Sequence, residues 1–89
     1  MITYDEALKT IRKSFPDFYV TEGFEYDGNF CFQLVSKHYK ELPMDSSHFY
    51  SVNSESGSVQ TLNYSAICRD PSAFINARTS GRKIDEIPN

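Results

Sequence analysis

Two cysteines and two histidines are the first residues to weigh for chemistry, because a thiol beside an imidazole can form a nucleophile–base pair. Cys31 and Cys68, with His38 and His48, carry none of the local signatures that frame a catalytic cysteine. Cys31 lies inside the apolar run Phe30-Cys31-Phe32-Gln33-Leu34-Val35, where a free cysteine acts as a small core residue. His38, Asp45 and His48 border one polar segment, but zinc sites use tighter and repeated Cys/His spacing. Asp5, Glu6, Glu22, Glu25 and Asp27 offer carboxylates. A catalytic pair needs two distinct environments, whereas carboxylates on a strand and hairpin usually make a polar outer face. The four glycines are scattered among turns, so no phosphate-cradling loop exists. The expectation is a non-enzyme with no catalytic, cofactor-binding or metal-ligating residues.

Binding chemistry has better candidates. Arg78, Arg82 and Lys83 cluster where a second helix should end; they complement its dipole and could meet an anion or an acidic partner. The chain holds seven Phe and six Tyr, more rings than one helix can cover. An aromatic-rich core accounts for many of them, and surplus tyrosines among polar residues are typical of protein-binding surfaces. Tyr19, Tyr26, Tyr39, Tyr50, Glu22, Glu25, Arg78 and Arg82 are therefore the candidate partner-binding residues.

These side chains must be positioned by a single small domain of 89 residues, with 15% aromatics in an otherwise polar composition. The net charge of −3 argues against nucleic-acid binding, which needs cations to neutralise phosphates. Residues 1–36 carry six acidic and three basic groups, giving an acidic face. No apolar run is long enough to cross a membrane, and no basic segment followed by an apolar one suggests a signal peptide. Two distant cysteines imply no disulfide framework. Asn63-Tyr64-Ser65 matches a glycosylation sequon, which matters only in a secreted chain. A cytoplasmic or virion location is expected.

Thr3-Tyr4-Asp5-Glu6 is a capping box, and Tyr4, Ala7, Leu8, Ile11 and Phe15 follow on one helical face. Pro16 ends that helix, predicted over 4–14. A strand over 18–26, with Gly23 as a bulge candidate, turns at Asp27-Gly28 into a core strand over 30–35. After a polar loop, strands are predicted over 48–53 and 58–64, joined through a turn at Gly57. Asp70-Pro71 announces a short helix that Phe74, Ala77 and Ile75 would dock and Gly81 would close. Residues 84–89 read as a flexible tail. The expected architecture is α+β: an N-terminal helix on a four-stranded antiparallel sheet, with a short C-terminal helix.

The order of these signals carries a resemblance. Thr3-Tyr4-Asp5-Glu6-Ala7-Leu8 opens a helix, a strand hairpin follows, and then come Tyr50-Ser51-Val52-Asn53 and, three residues on, Gly57-Ser58-Val59. This resembles the small PepSY-like pattern over residues 3 to 62. The chain is also similar to a group of small proteins of bacteriophages and mobile elements in Gram-positive bacteria. The shared features are Ile2-Thr3-Tyr4-Asp5-Glu6-Ala7, Phe15-Pro16-Asp17, the Tyr-Ser-Val-Asn hairpin and Asp70-Pro71-Ser72-Ala73-Phe74. Neither resemblance brings catalytic residues. Secreted PepSY proteins carry a signal peptide that this sequence lacks, so an extracytoplasmic peptidase-inhibitor role is not implied. An aromatic-rich, acidic small domain without a reactive constellation, taken with the phage and mobile-element resemblance, is expected to be a non-enzymatic protein-binding module, virion- or assembly-associated, with a virion protein or host enzyme as partner and room for homo-oligomerisation. The acidic face supports an alternative, an inhibitor or immunity-type protein that blocks a host or toxin enzyme.

Overall fold

The computed structural model describes residues 1–38, 47–62 and 64–86, and confirms the α+β class. The elements run α1 (Tyr4–Ser14), β1 (Phe18–Tyr26), β2 (Asn29–Ser36), β3 (Ser47–Asn53), β4 (Val59–Thr61), α2 (Tyr64–Arg69), α3 (Pro71–Thr79) and β5 (Arg82–Lys83). The strands form one antiparallel sheet in the order β4-β3-β2-β1-β5. It has five strands rather than four, because the chain after α3 returns to β1 and adds a two-residue edge strand.

Helix α1 begins as its capping box requires: the Glu6 N–H donates to Thr3 Oγ1 at 3.2 Å, and the Thr3 N–H donates to Glu6 Oε1 at 3.3 Å. The β1–β2 hairpin turns on Asp27 (φ 51°) and Gly28 (φ 74°), both in the left-handed region that a tight two-residue turn demands. Asp70 caps α3 by accepting from the Ala73 N–H at 3.3 Å, with Pro71 in the first turn.

The sheet has two covered faces. Phe30, Phe32 and Leu34 of β2 point toward Ala7 and Ile11 of α1, together with Val20 and Val52. Cys31 points the other way, toward Phe24, Leu62, Phe49, and Phe74 and Ala77 of α3. The short C-terminal helix thus covers the face opposite α1. Its docking residues are Phe74 and Ala77, while Ile75 is exposed.

The irregularity expected at Gly23 lies two residues earlier. Val20 pairs with Leu34 but Glu22 pairs with Gln33, so Thr21 is the extra residue of a bulge. The extra residue reverses the pleat for everything after it. Without it Glu22 would point into the apolar core under α1; with it Glu22 points under α3, and Gly23 faces α1. Gly23 is instead a place of close approach: a side chain there would overlap the Tyr4 hydroxyl and lie 2.8 Å from the Phe32 ring.

Other expectations shift. The fourth strand ends at Thr61, and Tyr64–Arg69 form a helix too short for periodicity to announce. Ile84 and Asp85, expected in the tail, donate their N–H groups to Thr21 O and Val20 O at 2.9 Å each. Residues 87–89, the loop residues 39–46 and Asn63 of the sequon lie outside the described residues.

Asp85 also receives a bidentate pair of hydrogen bonds from Arg12 (3.0 and 3.1 Å) and one from the Val20 N–H at 3.0 Å. The Arg12 bonds, with help from Val20, hold its carboxyl below the usual aspartate range against an opposing desolvation effect. A depressed folded-state pKa contributes stability that is complete above the unfolded value, about 3.9, and is lost as pH falls through the folded value. Asp85→Asn is expected to cost about 1 kcal/mol at neutral pH, allowing for solvent screening of the exposed Arg12. The difference from wild type should fade in urea melts below pH 4. A deficit that persisted unchanged into acid would remove the ion pair as its cause.

Candidate functional site

Five of the eight candidate residues fall at two neighbouring places on the domain. The first is the corner where α3 hands over to β5. Helix α3 ends at Thr79, Ser80 caps it, and Gly81 makes the tight step into β5. Gly81 does not use a left-handed backbone, the usual reason for glycine after a helix. A side chain there would lie 2.5 Å from the Gly23 carbonyl oxygen and 2.7 Å from Phe24 Cβ. Glycine therefore lets the helix end press against β1.

That contact, with the Glu22↔Lys83 and Gly23↔Arg82 pairings, gathers the charges. The Glu22 side chain is only 9% exposed. Its Oε1 accepts a short hydrogen bond from Arg78 Nε, and its Oε2 accepts from Lys83 Nζ at 3.1 Å. The Arg78 guanidinium lies 5.1 Å from the Phe49 ring centroid. Arg82, one residue from Lys83 and so on the other side of the strand, lies 5.0 Å from the Tyr4 ring centroid and pairs with no carboxylate among the described residues. Burial pushes the Tyr4 phenol up, against the pull of Arg82 and with the push of Asp5. Its buried hydroxyl has no hydrogen-bond partner among the described residues.

The second place is the hairpin end of the sheet. Ser54 Oγ donates to Gly28 O at 2.6 Å, and the Ile2 N–H donates to Ser54 O at 2.8 Å. These bonds draw both turns and the N-terminus around a recess of about 350 Å³. Met1, Tyr26 and Phe30 contribute its apolar surface, while Glu25 and Asp27 stand at its rim. Glu55 lies in the adjoining turn. All three carboxylates are exposed and form no ion pair among the described residues. Asn29 also lines the recess; its Oδ1 is buried and without a partner among the described residues.

Of the residues singled out from sequence, Glu22, Arg78 and Arg82 thus meet at the corner, and Glu25 and Tyr26 at the hairpin end. Tyr26 packs edge-on against Phe74 at 5.4 Å. Tyr50 belongs to the α1 side, its ring 4.5 Å from Phe15. Tyr19 lies on the opposite face with Lys37 Nζ 5.7 Å from its ring centroid. Tyr39 lies outside the described residues. Glu22 does not belong to an exposed acidic face, because the Thr21 bulge turns it inward to two cations. Met1, Asp27 and Glu55 are not among the sequence candidates for partner binding, since bonds between distant segments, Ser54 to Gly28 and Ile2 to Ser54, bring them together.

Cys31 is fully buried; desolvation, then the charge of Asp27, pushes its thiol up to about 12. It remains protonated at physiological pH and cannot serve as a thiolate there. Cys68 is exposed. A thiol-reactive chromogenic disulfide is expected to modify Cys68 alone in the native protein and both cysteines in denaturant. Rapid native labelling of Cys31 would contradict its burial. No group of three or more His, Cys, Asp or Glu side chains suited to a metal ion occurs among the described residues. Among them, too, no helix is long and apolar enough to cross a membrane.

Comparison with protein-family models, with curated proteins and with solved structures finds no match to this chain.

Proposed function

We propose that this domain is a non-enzymatic protein-binding module of a phage or mobile element, and that it holds a cationic segment of its partner at the hairpin end. The observation that carries this reading is the recess itself. Apolar side chains of Met1, Tyr26 and Phe30 are accompanied by Glu25 and Asp27, carboxylates that form no ion pair among the described residues. Such a recess suits a lysine or arginine, whose aliphatic stem covers apolar surface while its charged head meets a carboxylate. Tyr26 supplies a ring held by Phe74, and a pre-positioned aromatic costs little ordering on binding.

The phage or mobile-element setting rests on the sequence resemblance alone. The same exposed carboxylates favour one alternative, an inhibitor or immunity-type protein that blocks a host or toxin enzyme. Both readings predict binding that weakens with salt, because acidic steering is screened.

The test is capture on immobilised protein from host cells with and without phage infection. Wild type would be compared with the triple variant Glu25→Gln, Asp27→Asn, Glu55→Gln. Salt-sensitive capture of a virion or assembly protein, lost in the triple variant, supports the module. Capture of one host enzyme in both lysates selects the inhibitor. Equal capture by wild type and variant would remove the hairpin end as the binding surface.

A further inference from the structure

We infer that the α3–β5 corner is a binding site for a phosphoryl dianion, separate from the hairpin-end recess. Arg78 and Lys83 line a groove of about 250 Å³ with Glu22 and Gly81, and Arg82 borders it from the other side of β5, its guanidinium over the Tyr4 ring. Counting Arg82 at its border, the corner sets three cations against one carboxylate, a formal balance of +2, the charge that a phosphate monoester neutralises.

The donors are supplied and still have capacity. Glu22 uses one oxygen on Arg78 Nε and the other on Lys83 Nζ. The two terminal nitrogens of Arg78 and two of the three Lys83 protons remain available, and a guanidinium presents its remaining donors in a planar fork suited to phosphate. Arg82 adds a whole guanidinium, held over the Tyr4 ring and bound to no carboxylate among the described residues. Glu22, nearly buried, acts as a positioning residue: it fixes Arg78 and Lys83 from beneath while its own charge is consumed by them. The Phe49 ring does the same for the Arg78 guanidinium. Cations that merely complement a helix end could point anywhere into solvent. Here a buried acid and two aromatic rings hold them.

The carbonyls at the end of α3 favour cations at this corner and do not themselves attract an anion. The arginines and the lysine must carry the binding, so their removal is decisive. Inorganic phosphate and O-phosphoserine are the probes, titrated at constant ionic strength against a chloride control while backbone amide and arginine Nε resonances are followed by NMR. Saturable shifts centred on Arg78 to Lys83 and Glu22 are expected. The variant Arg82→Gln, Lys83→Gln should bind about tenfold more weakly or worse, as the loss of a charge-assisted hydrogen bond implies. Both replaced side chains are exposed, and the same spectra report whether the variant is folded. Tighter binding of O-phosphoserine would identify a phosphorylated residue as the source, and equal affinity would identify free phosphate. Shifts that follow ionic strength alone, or unaltered affinity in the folded double variant, would overturn the site.

Discussion

Replacing Gly81 with alanine is expected to destabilise the domain by about 3 kcal/mol, at the upper end of what one added methyl group costs in a tight contact. The new Cβ would lie 2.5 Å from the Gly23 carbonyl oxygen, 2.7 Å from Phe24 Cβ and 3.2 Å from the Arg78 carbonyl oxygen. All three belong to backbone or to a first side-chain carbon, so no flexible side chain can move aside. Relief requires the end of α3 to lift from β1, which would separate Arg78 from Glu22 and break the Gly23↔Arg82 pairing. Two measurements follow: a lower denaturant midpoint, and loss of the resonance signature of Arg78 Nε bonded to a carboxylate. The conventional view of this residue, a helix-ending glycine valued for left-handed freedom, predicts a different result. It would make Gly81→Asn nearly harmless, since asparagine tolerates that conformation. Here Gly81→Asn should be at least as damaging as alanine, and a well-tolerated asparagine would falsify the close-approach account.

Gly81 also illustrates what can and cannot be read from the chain. The capping box at Thr3, the Asp27-Gly28 turn and the Asp70-Pro71 helix start are local: each depends on residues within four positions, and each stands where the sequence places it. The apolar alternation of Phe30, Phe32 and Leu34 is likewise local and gave the correct core face. The bulge at Thr21 is different. Nothing in Val20-Thr21-Glu22-Gly23 distinguishes a regular strand from one with an extra residue. What selects the bulge is the other face: Glu22 needs the cations of α3 and β5, more than fifty residues away, and the space under Tyr4 admits only Gly23. Strand β5 has two residues and no periodicity, so it exists through its pairing with β1. Helix α2 was hidden because Gln60, Leu62 and Tyr64 continue the alternation of a strand beyond the point where pairing stops at Thr61.

The candidate sites divide along the same line. The basic cluster was visible as Arg78, Arg82 and Lys83 because those residues are close in sequence. Their organisation by Glu22, Phe49 and Tyr4 was not, since each of those comes from a distant segment. The tyrosines were legible as an excess but not as a location. Packing takes Tyr50 to the α1 face and Tyr26 against α3, placements that the count of tyrosines does not contain.

Phe32→Ala should be the most damaging of the single substitutions considered, with an expected loss of about 4 kcal/mol. The ring is fully buried at the centre of the sheet, tilted against Tyr4 at 5.5 Å, and its edge covers Gly23 on the neighbouring strand. Truncation leaves a cavity in the cluster under α1, beside Tyr4 and the Gly23 backbone. In a domain of this size the loss is a large part of total stability, so the denaturant midpoint should fall steeply while the slope of the transition is kept. The sharper test is a double-mutant cycle. In the wild-type background Gly23→Ala is blocked by the Phe32 ring and the Tyr4 hydroxyl. Once Phe32 is truncated, one of those two obstructions is gone and the added methyl partly fills the vacated space. The combined loss should therefore fall short of the sum of the single losses by about 1 kcal/mol or more. Strict additivity would mean that the ring does not rest on Gly23. The glycine would then owe its place to the Tyr4 hydroxyl, and Tyr4→Phe, not Phe32→Ala, would be the change that makes Gly23→Ala tolerable.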